Sequence, residues 1–215
     1  MQSKLYYNTT TPLLQASLRE LMREKIFDPF RLVGGTSLSL QLGHRMSDDI
    51  DLFTDAPYDS IDFAEIDDYL NRKFNYVSSS DYKIIGVGKA YFVGGNKNAC
   101  IKLDVFYADT FIREPILIDG IRLASLEEIV AMKLEVISHG GRKKDFWDVH
   151  ELMNTFSLPQ MLAVHKERYP RSHNKRKLLS KFGDFRNADE DFDPVCLSGK
   201  HWEVIKMDFV DALSQ

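Results

Sequence analysis

Cysteine is almost missing from this chain: Cys100 and Cys196 are the two in 215 residues, with no Cys-x-x-Cys pair and no histidine at a zinc-binding interval. That excludes a disulfide-stapled scaffold and the common structural zinc modules. Cys100 opens an apolar strand pattern, so a buried free thiol is expected there. Long apolar runs are missing as well. No stretch approaches the roughly 20 residues of a membrane helix, and the N-terminus has no basic-then-apolar leader pattern. The expectation is a cytoplasmic protein with no membrane partner. Nor is there an excess of positive charge: 28 Lys and Arg stand against 32 Asp and Glu, a formal net charge of −4. The chain as a whole is therefore not drawn to polyanions. Its six histidines make no metal pattern; His139 and His150 are isolated, and His150-Glu151-Leu152 is not a metalloprotease helix. No internal repeat, low-complexity tract or long linker occurs.

What remains is ordinary for a globular chain, 44% hydrophobic and 28% charged, long enough for one large domain or a small one with an appendage. The charge is unevenly spread. Lys166, Arg168, Arg171, Lys175, Arg176, Lys177 and Lys181 face a single acid, Glu167, and the next stretch reverses sign with Asp184, Asp189, Glu190, Asp191 and Asp193. Such a run is either a phosphate-binding face or a solvated surface paired with the acids beside it.

Periodicity predicts helices over 12–26, 36–42 and 62–73, and strands over 30–33 and 50–53. Strand-like runs follow at 82–87, 90–94 and 100–107, with a turn at Gly94-Gly95 and a hairpin over 116–123 around Asp119-Gly120. Ser125 and Glu128 form a capping-box pattern that opens a helix to about Ile137, closed by His139-Gly140-Gly141. Further helices are expected over 144–156, 160–169 and 202–213, with Phe146 and Trp147 packing that half or, as the lesser alternative, stacking on a base. The fold class is thus α+β (mixed α/β), with an α/β core over 1–124 and a mainly helical part over 125–215.

Three features carry chemistry. Gly34-Gly35-Thr36-Ser37 lies between a strand and a helix, where glycine lets phosphate oxygens approach a helix N-terminus and Ser37 adds a hydroxyl donor. Alone, that turn is common punctuation. Asp49-Ile50-Asp51 puts two carboxylates on one face of a strand, where they repel unless a cation intervenes; hard oxygens suit Mg2+ or Mn2+. Asp104 lies in a third apolar strand, Ile101 to Phe106, and an aspartate there needs a partner. If that strand pairs beside 50–53, Asp104 completes a cluster able to position two metals.

Gly-Gly-Thr-Ser followed by Arg45-x-Ser47-x-Asp49-Ile50-Asp51-Leu52-Phe53, with 13 residues between Gly35 and Asp49, resembles the nucleotidyltransferase superfamily related to DNA polymerase β. Ala131-x-Lys133-Leu134 and Arg142-x-Lys144-Asp145-x-x-Asp148 make the chain similar to the AbiEii/AbiGii toxin family of abortive-infection and toxin–antitoxin systems. The resemblance spans roughly residues 30–155. It implies a polymerase β-like core with a mixed sheet flanked by helices, and transfer of a nucleoside monophosphate from an NTP, with Asp49, Asp51 and Asp104 as metal ligands. It also implies phosphate contacts from Gly34, Gly35, Thr36, Ser37, Arg45 and Lys133, and catalytic parts for Lys133 and Asp145. Asp148 reads as a structural hydrogen-bond partner, and Arg45 as a phosphate contact or a partner of Asp48 or Asp49. The implied partners are a cognate antitoxin and a transfer RNA or protein acceptor. An antibiotic-type transferase acting on small molecules and a non-catalytic nucleotide- or RNA-binding module remain the rival readings.

Overall fold

A computed structural model describes residues 4–79 and 87–214. Most of the strand-like run at 82–87 lies outside the described residues. Thr11 starts the chain's first helix, α1 (Pro12–Arg23), by accepting the Leu14 N–H on its side chain, and Leu14, Leu18, Leu21 and Met22 turn inward. The helix is shorter than periodicity predicts. Glu24 is extended, and Lys25–Phe27 makes a separate 3-10 turn.

β1 (Arg31–Leu32) leads into α2 (Gly34–Leu42), which begins two residues before the predicted helix, at the glycines themselves. β2 (Asp49–Thr54) alternates as expected, with Ile50, Leu52 and Thr54 buried and Asp49, Asp51 and Phe53 on the opposite face. After α3 (Phe63–Lys73) come β3 (Tyr76–Ser79), β4 (Gly88–Asn96) and β5 (Ala99–Tyr107). The expected turn at Gly94-Gly95 is displaced: Gly94 stays in β4 opposite Cys100. The chain reverses two residues later, where the Asn96 side chain accepts the N–H groups of Asn98 and Ala99. Cys100 is accordingly half-buried beside that turn rather than in the core. β6 (Ile116–Ile118) and β7 (Ile121–Leu123) form the expected hairpin, with positive φ at Asp119 and Gly120.

These strands make one mixed seven-stranded sheet in the order β3-β4-β5-β2-β1-β7-β6. β2 runs parallel to β5 and antiparallel to β1, and β1 runs parallel to β7. One core joins α1, α3 and one face of the sheet through Leu14, Leu18, Ile50, Leu52, Ile66, Leu70, Leu103 and Val105.

The strands end at Leu123 and helices follow: α4 (Leu126–Ser138), α5 (Lys143–Leu152), α6 (Leu158–Arg168), α7 (Lys175–Phe182), the short α8 (Arg186–Asp189) and α9 (Trp202–Leu213). They share a second core that includes Phe146, Trp147, Phe182 and Phe209 and draws in Val33 and Leu38 from the first half. Ser125 caps α4 as expected, but Glu128 does not reach back to close the capping box. Its buried carboxylate is taken instead by Arg168 at 2.6 Å and by the N–H groups of Ile112 and Arg113. Among the described residues no helix is long and apolar enough to cross a membrane.

Candidate active site

A cleft of about 230 Å3 opens where the start of α2, the polar face of β2, α4 and the start of α5 meet. Gly34 and Gly35 form its floor, and both need to be glycine. Gly34 has φ +68°, and a Cβ there would lie 2.5 Å from Asp51 Oδ2; a Cβ on Gly35 would lie 2.4 Å from an Arg45 guanidinium nitrogen. The helix that starts here has no side-chain cap, so the positive end of its dipole is left for something else.

The hydroxyls after the glycines turn away. Thr36 is 1% exposed, hydrogen-bonded to the Ser47 hydroxyl at 2.8 Å and donating to the Asp49 carbonyl, and so ties α2 to β2. Ser37 is 0% exposed and accepts from Gln41. These two side chains, expected as phosphate contacts, are not among those that line the cleft, because the first helical turn rotates both into the protein.

Asp49 and Asp51 both line the cleft. Asp104 is the register partner of Asp51 on the neighbouring parallel strand, so the three acids share one face of the sheet. Asp104 itself does not line the cleft: Lys102 donates to its Oδ2 at 2.5 Å, while its Oδ1 is buried with no hydrogen-bond partner. Among the described residues no three acid, histidine or cysteine side chains are already gathered as an ion cage. The expected three-carboxylate cluster is thus two carboxylates in the cleft with the third one strand over. The acids feel one another: burial, then the charges of Asp104 and Asp49, push the Asp51 carboxyl up to about 6.

Across the cleft stands a buried ionic hub. Asp148 accepts from the Arg45 guanidinium at 2.6 and 2.8 Å and from His44 Nε2 at 2.8 Å, and Lys133 Nζ lies 2.7 Å from it. Burial alone would raise the Asp148 carboxyl, but Lys133, Arg45 and the His44 hydrogen bond outweigh it and hold the group well below the usual carboxylate range. Lys133 also donates to Asp145 at 2.7 Å, and the other Asp145 oxygen accepts the Arg142 N–H that starts α5. Asp148 keeps the structural part expected of it, and Arg45 pairs with it rather than with Asp48 or Asp49. Lys133 is less free than expected, since two carboxylates already share its charge.

Sequence reasoning passed over several cleft residues. Lys144 sits between the assigned members of its motif, with Nζ 4.0 Å from Asp49 Oδ2. Phe53, Met132 and Val136 supply the apolar lining. The motif spacing placed Lys144 next to Asp145, but nothing in it said which side of α5 faced Asp49.

The same architecture occurs in solved structures. The nucleotidyltransferase toxin MenT4 from Mycobacterium tuberculosis superposes with a TM-score of 0.58 at 16% identity, covering 94% of this chain and 83% of that one. An antigenic nucleotidyltransferase-like protein from Paracoccidioides brasiliensis gives a TM-score of 0.51 at 16% identity, covering 95% and 93%. In sequence, an uncharacterized protein of Aquifex aeolicus (strain VF5) is 31% identical over 160 residues, 71% of this chain and 72% of the relative. Residues 16–215 match the nucleotidyl transferase AbiEii toxin family of the Type IV toxin–antitoxin system, and the chain belongs to that family.

Proposed function

We propose that the protein is a divalent-metal-dependent nucleotidyltransferase. It moves a nucleoside monophosphate from an NTP to a hydroxyl of an RNA or protein acceptor, releasing pyrophosphate. In the cell it acts in the cytoplasm as the toxin of an abortive-infection or toxin–antitoxin pair, restrained by a cognate antitoxin. The observation that carries this reading is the juxtaposition of Asp49 and Asp51 with the uncapped start of α2 at Gly34-Gly35 inside one cleft.

The donor set fits a hard cation. Asp51 is held up to about 6 by burial and by the charges of Asp104 and Asp49, and Asp104 has a buried oxygen without a partner. Bound Mg2+ or Mn2+ would neutralise the acids and the triphosphate and lower the charge barrier to attack. Asp49 and Asp51 would hold it, with Asp104 sharing it or taking the acceptor's proton. Gly34 and Gly35 leave room for phosphate oxygens at the helix start. Two of the three ammonium donors of Lys133 are engaged, which leaves one for an oxygen of the departing pyrophosphate. Lys144, beside Asp49, and Arg45 add positive charge at the same place. Asp145 holds Lys133 and the start of α5 in position.

A screen of the four α-labelled triphosphates with magnesium and total RNA tests the reading. Wild-type protein labels the acceptor, Asp51→Ala does not, and a chelator stops the reaction. Label that appears on an aminoglycoside instead of RNA or protein would select the small-molecule reading. Equal labelling by Asp51→Ala would refute the mechanism.

A further inference from the structure

The helical half carries a groove of about 670 Å3 that shares no residue with the catalytic cleft. It runs between the end of α5, the starts of α6 and α7 and the last turns of α9, and Met153, Phe156, Leu158, Leu162, Leu179 and Leu213 line it. All six lie in or against the second core. Along α9, Val204, Met207 and Val210 are 51%, 64% and 50% exposed. Their three-residue spacing sets them along one side of the helix, and Met207 sits one turn before the groove residue Asp211. An apolar stripe running beside an apolar groove is a surface of the kind that association covers.

Two charges in the groove stand against their own helices. Lys175 opens α7, whose first turn holds no acid, and Asp211 lies in the last turn of α9, which holds no base. A cation at the positive end of a helix and an anion at the negative end are both unfavourable. Lys175 and Asp211 are exposed, and neither has an ion-pair partner among the described residues, whereas the neighbouring Asp208 is taken by His150 at 2.8 Å. The start of α7 therefore lacks an anion, and the end of α9 lacks a cation.

We propose that this α7–α9 face is a dimer interface and that its occupant is a second copy of this chain. About a two-fold axis, the α9 stripe of each copy covers the groove of the other, Lys175 meets the partner's Asp211, and Asp211 meets the partner's Lys175. A two-fold axis makes every such contact reciprocal. Each charge then lies against the helix end that lacks it, so Lys175 serves the end of the partner's α9 and Asp211 the start of the partner's α7. Stripe, groove and both signs of charge on one face are complementary to a copy of that same face.

The test is sedimentation velocity over a protein concentration series. Wild-type protein forms a dimer at micromolar concentration, and Met207→Glu, Lys175→Asp and Asp211→Lys each weaken it about tenfold or more. Circular dichroism of each diluted variant matches wild type, because all three side chains are exposed. An equimolar mixture of Lys175→Asp and Asp211→Lys recovers the dimer, since both reciprocal pairs then join opposite charges. A pairing of these two residues inside one chain gives no such recovery. Wild-type protein that stays monomeric overturns the proposal and leaves the groove to a partner of different sequence; a mixture that fails to recover the dimer overturns it as well.

Discussion

At the residue scale, Asp51 sits where function and stability pull in opposite directions. Its carboxyl, raised from 3.8 to about 6, stays protonated in the folded chain at pH values where the unfolded chain has released the proton. The folded state therefore holds more protons between about pH 4 and 6, and this group's cost to stability grows as pH rises through that window. Metal-free Asp51→Asn should melt above wild type, with a larger gap at pH 8 than at pH 5; an equal gap at both would mean that the acids do not strain one another. Asp148 is the opposite case. Replacing it with Asn leaves Lys133 and Arg45 buried with one anion fewer, and denaturant titration should show a loss of about 3–5 kcal/mol. Asp49 and Asp51 were legible in sequence because period-two alternation fixes their common face. The Asp148 hub was not, because its four members come from three distant segments, His44 and Arg45 sharing one, and nothing local marks their convergence.

At the element scale, the site depends on how α2 begins. Gly34→Ala forces a side chain into a positive-φ position 2.5 Å from Asp51 Oδ2. Stability should fall by about 1–3 kcal/mol and nucleotide binding should weaken together with it, read by thermal shift and calorimetry. Unchanged nucleotide affinity would remove the helix start from the site. The motif Gly-Gly-Thr-Ser pointed to the right turn, but it could not show that the helix starts at the glycines and so carries Thr36 and Ser37 inward. In the same way, Ser125 and Glu128 read as a capping box, yet Arg168, 40 residues away in sequence, claims the carboxylate. Local pattern sets where elements begin, while long-range partners decide what their side chains do. The helix α7 went unread because its eight residues are dominated by lysine and arginine, which mask the buried Leu178 and Phe182.

At the scale of the whole molecule, the sheet order places β2 and β5 side by side at its centre, which is what brings Asp51 level with Asp104. The basic run now divides. Arg168 is buried against Glu128 and Lys181 pairs with Asp184, while Arg171, Lys175, Arg176 and Lys177 are exposed and have no ion-pair partner among the described residues. If these cations guide an RNA acceptor, reversing Lys175, Arg176 and Lys177 together should weaken RNA binding and lower the salt slope by about 2; an unchanged slope would make the run a solvated surface. The central claim is that the two aspartates of β2 hold a divalent cation against a triphosphate at the start of α2. Calorimetry of a non-hydrolysable NTP analogue with and without Mn2+ tests it most directly. Wild-type protein should bind the analogue far more tightly with the ion present, and Asp49→Asn and Asp51→Asn should lose most of that gain. A metal-dependent gain that survives both substitutions would contradict it.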